Sequence, residues 1–334
     1  MKSAPALRRL LAGLLLACLA APATAQVIKI ATLAPDGSAW MREVRAAAAE
    51  VKQGTGGRVE VKYFPGGVMG NDAVVLRKLR LGQLQGGVLT SSELSLVYRD
   101  TPVYGLPFLL DGWEQVPRLR AELDPIMAKG FKAKGIHLMG VSDVGFAYLM
   151  GDRPLRTQAD MSGIKLWIPQ NDEIATRTFK RGGINAIPLP IGDVFTSLQT
   201  GLVDTVVNTP SGAVALQWHG KVKHMVDLPL TFVVGFMVID ERTWAKVSPA
   251  DQPILDKAFS DAARRMDANV RRDDVSALAA MKKQGLVVAP LDPAESARWR
   301  AVGAEVSAQM EADGTFSPEV MAAVRRALAA PKVP

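Results

Sequence analysis

The sequence is poor in the side chains that cross-link proteins or hold metals. Its 334 residues include one cysteine, Cys18, and three histidines, at positions 137, 219 and 224. A single cysteine forms no internal disulfide and no CxxC redox centre. His219 and His224 are five positions apart, a poor separation for two ligands on one helix face, so we interpret them as surface or hydrogen-bonded residues. Disulfide scaffolds and zinc ribbons are excluded.

Long apolar runs are also missing. Residues 1–25 combine a basic start, an apolar run over 10–21 and the small-x-small ending Ala23-Thr24-Ala25, which is typical of a secretory signal peptide. The run is shorter than the roughly 20 apolar residues that span a bilayer, so a retained anchor is the weaker alternative. A second alternative is lipid attachment at Cys18, but the preceding residues fit a lipobox poorly because a leucine stands where a small residue is usual. We predict cleavage before Gln26 and a soluble periplasmic protein.

The excess of positive charge is small once that leader is set aside. The leader holds three of the 40 basic residues and none of the 33 acidic ones, which lowers the formal charge from +7 to +4. No run of five like charges follows, and aromatic residues, 6% of the chain, are not interleaved with Arg or Lys. We therefore predict no nucleic-acid partner.

The rest of the chain alternates strand and helix patterns, which predicts an α/β fold. Ser38 and Asn71 are placed to cap the first two helices, and Gly54 ends the first. The predicted strands are 27–32, 58–64, 84–89, 136–141, 146–150, 163–168, 184–189, 202–207 and 233–239.

One very long helix is predicted near the C-terminus. Ser248-Pro249-Ala250-Asp251 offers a cap, a proline at the first helical position and an early acid, and nothing breaks the apolar repeat until Gly285. At about 1.5 Å per residue such a helix is roughly 50 Å long, enough to brace two lobes.

Common enzyme motifs are absent. The sequence has no GxSxG, HExxH or GxxxxGK[ST], and no GxGxxG follows a predicted strand. The carboxylate pairs Asp172-Glu173 and Asp273-Asp274 are adjacent, and adjacent residues on a helix do not face each other. We predict that the protein is not an enzyme.

Five segments together resemble one family, the extracytoplasmic solute-binding proteins of tripartite ATP-independent periplasmic (TRAP) transporters, called DctP. Their order and spacing behind a signal peptide carry the resemblance. The segments are 28–40 (IKIATLAPDGSAW), 63–79 (YFPGGVMGNDAVVLRKL), 105–110 (GLPFLL), 161–169 (MSGIKLWIP) and 197–204 (SLQTGLVD).

The resemblance implies a periplasmic binding protein-like fold of two α/β lobes hinged around a cleft, with the long helix spanning both. We predict that lobe I contains residues 26–144 and 234–275, and that lobe II contains residues 145–233 and 276–334.

The resemblance also identifies site positions, and two of them depart from the family pattern. Family members commonly hold a substrate carboxylate with two arginines, and this sequence has Trp167 and Ala147 at those positions. Asn208 matches a family amide.

Three polar positions complete the implied site. Thr90 and Ser91 belong to a matching polar loop, Thr90-Ser91-Ser92, and Asp72 is acidic in some relatives.

Each of these residues also has a plainer interpretation. Trp167 is equally well explained as core, Asn208 as a turn residue, and the loop from Thr90 as a helix cap. Asp72 fits a first-turn helix charge, and Asp143 fits a surface loop.

The implied function is a monomeric receptor that delivers one small, organic-acid-like solute to a TRAP membrane permease, without covalent chemistry or a cofactor. Alternatives are the binding protein of an ABC importer or sensor system, and a periplasmic enzyme. Because the arginines are missing, we expect a ligand without an arginine-held carboxylate, or one whose carboxylate is held by another basic residue or a metal. Asp143, Asp172 and Glu173 offer oxygen ligands for Ca²⁺, although their spacing does not require it.

Overall fold

A computed structural model describes residues 25–329, so the predicted leader and Cys18 lie outside the described residues, apart from Ala25. The strands are β1 (Gln26–Thr32), β2 (Val59–Phe64), β3 (Gly86–Thr90), β4 (Ile136–Gly151), β5 (Trp167–Pro169), β6 (Ile187–Leu189), β7 (Thr205–Asn208), β8 (His224–Asp240) and β9 (Val287–Ala289). The helices are α1 (Ala39–Gly54), α2 (Asp72–Arg80), α3 (Ser91–Leu94), α4 (Val116–Ala133), α5 (Glu173–Arg181), α6 (Val194–Thr200), α7 (Pro210–Ala215), α8 (Glu241–Trp244), α9 (Gln252–Lys283), α10 (Pro293–Ala312) and α11 (Pro318–Ala329).

The first three strands pair in parallel within a seven-stranded sheet, as the alternating pattern predicts. The sheet order is β2-β1-β3-β8-β4-β7, with β9 added beside β8. Strand β1 pairs in parallel with both β2 and β3, whereas β8 runs antiparallel to β3 and β4. A separate pair, β5 and β6, is linked to β7 through a bridge between Leu166 and Thr205. The α/β class is confirmed.

Strands β4 and β8 join the two lobes. They pair along their whole length, from Ile136 opposite Asp240 to Gly151 opposite His224. At one end of the pair, β8 also pairs with β3. At the other end, β4 pairs with β7 and β8 pairs with β9. Both strands therefore belong to each lobe.

The prediction of two separate strands at 136–141 and 146–150 was wrong. The intervening residues are a continuous part of β4, and the break in pattern corresponds to a register shift between Asp143 and Gly145 rather than to a turn. Such bulges bend a strand without ending it.

Asp143 lies in this bent part of β4 and is not the surface loop residue that the sequence predicted. Its side chain is 9% exposed and pairs with the guanidinium of Arg120 on α4. Arg120 also contacts Asp124, at 2.9 Å, and Asp267 of α9, at 3.5 Å. The backbone N–H of Asp143 donates to the Asp267 carboxylate at 2.7 Å. One cation thus joins α4, β4 and α9.

Helix α9 confirms the predicted long helix. Its 32 residues correspond to about 48 Å at about 1.5 Å per residue. It packs on α1, on β4 and on α7. The helix begins at Gln252, three residues after the predicted first helical position, Pro249, although the Ser248 hydroxyl does accept the N–H of Asp251 at 3.2 Å as the predicted cap requires.

Helices α10 and α11 follow α9 and pack on different partners. Helix α10 lies on α5, where Trp299 meets Phe179 edge to face with ring centres 5.7 Å apart. Helix α11 instead packs on α4. The residue bounds of the lobes stay a prediction.

We expect Gly145→Ala to destabilise the protein. Gly145 has a φ of 119°, and a Cβ there would lie 2.4 Å from Asp274 Oδ2 of α9. Backbone strain of this kind costs about 1–3 kcal/mol. Urea unfolding should show a lower free energy of unfolding by about that amount.

The matched control is Gly220→Ala. Gly220 is exposed, and an added Cβ there meets nothing within 4 Å. Equal stabilities of the two variants would contradict the close packing of β4 against α9.

Candidate functional site

A small cavity lies where the ends of α2 and β3 meet the segments that follow β5 and β6. Its volume is about 40 Å³, room for a few water molecules at about 10–15 Å³ each. A larger solute therefore has to part the walls. The lining residues are Asn71, Asp72, Ala73, Thr90, Ser92, Glu93, Pro169, Gln170, Pro190 and Ile191.

Asp72 is the first residue of α2, and its side chain faces this cavity. Asn71 caps the helix, as predicted, by accepting the N–H of Val74 at 3.1 Å. Asp72 is only 8% exposed and accepts the backbone N–H of Thr90 at 2.9 Å. Burial raises the pKa of Asp72 to about 6, and the negative charge of Glu93 contributes in the same direction.

Thr90 has the capping role that the sequence proposed for it. It ends β3 and caps the short helix α3, where its hydroxyl accepts the N–H of Glu93 at 3.4 Å. It also lines the cavity, together with Ser92. Ser91 is half-buried and is not among the lining residues.

Glu93 was missed by the sequence reasoning. It is 5% exposed, and its Oε2 accepts the side-chain amide of Asn171 at 3.0 Å. Asn171 precedes α5 and has a φ of 62°, a left-handed conformation that asparagine tolerates. This bond links the two sides of the cavity. The available signal was the position of Glu93 directly after the predicted Thr90-Ser91-Ser92 loop.

The cavity is acidic. Two carboxylates line it, and its lining includes no Lys, Arg or His. Across residues 25–329, neither Asp72 nor Glu93 forms an ion pair. Two buried carboxylates thus lie together without a cation.

Trp167 is not one of the residues that line the cavity. The side chain is 2% exposed and meets Trp218 edge to face, with ring centres 5.1 Å apart. Its indole N–H donates to the carbonyl of Leu189 at 2.9 Å. Leu189 precedes Pro190, which does line the cavity. The indole therefore holds the segment that forms one wall.

The remaining predicted positions, Ala147 and Asn208, lie in β4 and β7. Ala147 is 2% exposed and pairs with Thr231 across β8. Asn208 lies opposite Tyr148, and its Oδ1 accepts the N–H of Thr209 at 2.8 Å. Its Nδ2 is buried and has no hydrogen-bond partner in the described part of the chain. Neither residue lines the cavity.

The carboxylates proposed as Ca²⁺ ligands are used elsewhere. Asp143 pairs with Arg120, and Asp172 caps α5 by accepting the N–H of Ala175 at 2.8 Å. In the described range 25–329, no three His, Cys, Asp or Glu side chains are grouped so that they could hold a metal ion.

Comparison with known proteins decides the family. The family model for the bacterial extracellular solute-binding protein, family 7, matches residues 30–313. The chain belongs to this family. The resemblance to the DctP proteins of TRAP transporters is thereby confirmed.

Individual relatives agree with this assignment. A solute-binding protein of Verminephrobacter eiseniae is 28% identical over 273 residues, 79% of this chain and 78% of the relative. The C4-dicarboxylate-binding periplasmic protein DctP of Rhodobacter capsulatus is 26% identical over 279 residues, 82% and 83% of the two chains. The sugar acid binding protein of Advenella mimigardefordensis, solved with galactonate, is 22% identical with a TM-score of 0.85 over 92% of this chain and 99% of that one.

Family 7 membership fixes the general role. The chain is a periplasmic receptor that captures a small solute for the membrane permease of a TRAP transporter. This supports the TRAP interpretation over an ABC importer or a sensor system. Within residues 25–329, no helix is long and apolar enough to cross a membrane.

We expect Asp72→Asn to change how stability depends on pH. Because the pKa of Asp72 is raised from 3.8 to about 6 on folding, its contribution to stability is full below pH 3.8 and is lost as pH rises through about 6. Asparagine keeps an acceptor for the Thr90 N–H and removes the charge. Relative to wild type, the variant should gain about 1–3 kcal/mol between about pH 4 and pH 7, measured by urea unfolding.

Glu319→Gln is the control for that experiment. It removes the same charge from a side chain on α11 that is 58% exposed. Its stability should follow the wild-type pH profile. If the free energy of unfolding of Asp72→Asn also followed the wild-type dependence on pH, the pKa of Asp72 would not be raised by folding.

Proposed function

We propose that this receptor binds its solute in the cleft lined by Asp72, Thr90, Glu93 and Gln170, and that it releases the solute unchanged. One observation carries the proposal: the cavity lies between segments that β4 and β8 connect, and buried polar groups from one side reach across to the other. Opening about the two connecting strands would widen this cavity first, and closure around a bound solute is a usual response of hinged lobes.

The proposed solute is not held by an arginine-bound carboxylate. Trp167 and Ala147 stand at the two arginine positions that the family resemblance implied, and the cavity lining has no basic side chain. The relative from Rhodobacter capsulatus is named as a C4-dicarboxylate-binding protein, and the protein from Advenella mimigardefordensis was solved with galactonate, so the named ligands of both are acids. We infer that the cargo of this receptor differs from such acids in the group that it presents to the cleft.

The predicted site residues act in two ways in this proposal. Asp72 and Thr90 touch the solute, whereas Trp167 positions the Pro190–Ile191 wall through its bond to Leu189. Ser91, Ala147 and Asn208 would meet a solute only when the lobes part.

We also propose that the receptor has no catalytic activity and no resident cofactor. Family 7 members are binding proteins. The cleft carboxylates Asp72 and Glu93 have no histidine, cysteine or lysine beside them in the lining to complete a nucleophilic pair. Mass spectrometry of a bound solute before and after incubation should find its mass unchanged.

A thermal-shift screen tests the site. Organic acids, sugar acids, amino acids, polyols and amines are compared, each with and without Ca²⁺. We expect a binding solute to raise Tm without Ca²⁺, and Thr90→Val and Gln170→Ala to reduce that rise because both side chains line the cavity. Trp167→Ala should reduce it too, by releasing the Leu189 carbonyl.

Glu319→Gln serves again as the control, because Glu319 lies outside the cavity lining. A simple dicarboxylate that stabilises wild type and all three cleft variants equally without metal would overturn the proposed site.

A further inference from the structure

We infer that the cargo carries a primary ammonium group, which binds between Asp72 and Glu93. The inference rests on the proposed function, since it assigns a chemical class to the solute of the same cleft. It depends on the juxtaposition of two buried carboxylates at a cavity wall without a basic neighbour.

Charge is the first argument. Asp72 is 8% exposed and Glu93 is 5% exposed, and no ion pair within residues 25–329 includes either. A buried carboxylate without a cation is costly, and two such groups together are costlier because like charges repel. An anionic solute would add a third negative charge, whereas a cationic one would offset the two that are present.

Hydrogen-bonding capacity is the second argument. Asp72 uses Oδ2 to accept from Thr90, and Glu93 uses Oε2 to accept from Asn171. A carboxylate has about four acceptor positions, so both groups retain capacity for a solute. An R–NH₃⁺ group has three N–H donors, which is enough to donate to both carboxylates.

The rest of the lining separates primary from quaternary ammonium groups. The lining includes no aromatic ring, and the apolar wall consists of Ala73, Pro169, Pro190 and Ile191. Binding of quaternary ammonium compounds relies on aromatic faces. The nearby aromatic ring of Trp167 packs against Trp218 instead. The cleft therefore favours a cation with N–H donors and a short apolar body.

A matched set of two-carbon alcohols tests the head group directly. Isothermal titration calorimetry would compare ethanolamine, choline, ethylene glycol and glycolate, with 1,4-diaminobutane as a longer primary amine. We expect a primary amine to bind at least tenfold more tightly than choline, ethylene glycol and glycolate. Equal binding across the set, tighter binding of glycolate, or no binding of either amine would overturn the inference.

Variants then locate the bound amine. Asp72→Asn and Glu93→Gln should each weaken amine binding at least tenfold, because each removes one of the two charges while keeping the side-chain size. Glu319→Gln should bind as wild type does. Circular dichroism confirms that each variant is folded.

The outcomes separate this inference from the proposed site. If a neutral or acidic solute binds, and Thr90→Val or Gln170→Ala weakens it while Asp72→Asn does not, the cleft is the site and the ammonium inference is wrong. If an amine binds and no cleft variant changes its affinity, the location of the site itself is wrong.

Discussion

The continuous pairing of β4 with β8 is the constraint on which the rest of the molecule depends. Strand β4 has 16 residues and β8 has 17, and the pair meets β3 near one end and β7 and β9 near the other, so the two lobes share one hydrogen-bonded ladder instead of a flexible linker. Such a ladder resists bending except where its register shifts, and one shift lies between Asp143 and Gly145. Movement of one lobe against the other is therefore concentrated at a few residues, which suits a receptor that opens and closes around its cargo.

Helix α9 limits that movement from one side. Asp267 accepts the N–H of Asp143, and further along the helix Asp274 accepts the N–H of Ser211 in α7 at 3.0 Å. Arg120 adds a cation to the first of these contacts. Burial raises the pKa of Asp143 to about 6 although Arg120 lowers it. Buried polar contacts of this kind add little net stability, but breaking one leaves an unpaired group, so they favour one arrangement of strand and helix.

Local features of this fold could be predicted from the sequence, because they depend on neighbouring residues. Ser38 and Asn71 cap their helices as expected, since a cap requires only the N–H groups two or three residues later. The burial of Asp143 could not be predicted, because its partner Arg120 is 23 positions earlier in the chain. Glu93 was missed for the same reason: its contact with Asn171 spans 78 positions. The family resemblance supplied positions for a site, but not which side chains face the cavity.

If the acidic cavity is the binding site proposed above, its buried carboxylates lower the stability of the solute-free protein in return for affinity. Asn71 already caps α2, so the cap does not require a carboxylate at the first residue; Asp72 instead joins α2 to the end of β3 by accepting the N–H of Thr90. Burial nevertheless raises the pKa of Asp72, which means that its ionised form destabilises the solute-free protein at neutral pH. Groups that reduce stability in this way are characteristic of functional sites. A cationic solute would recover that cost on binding, so the same strain that weakens the free receptor would add to its affinity.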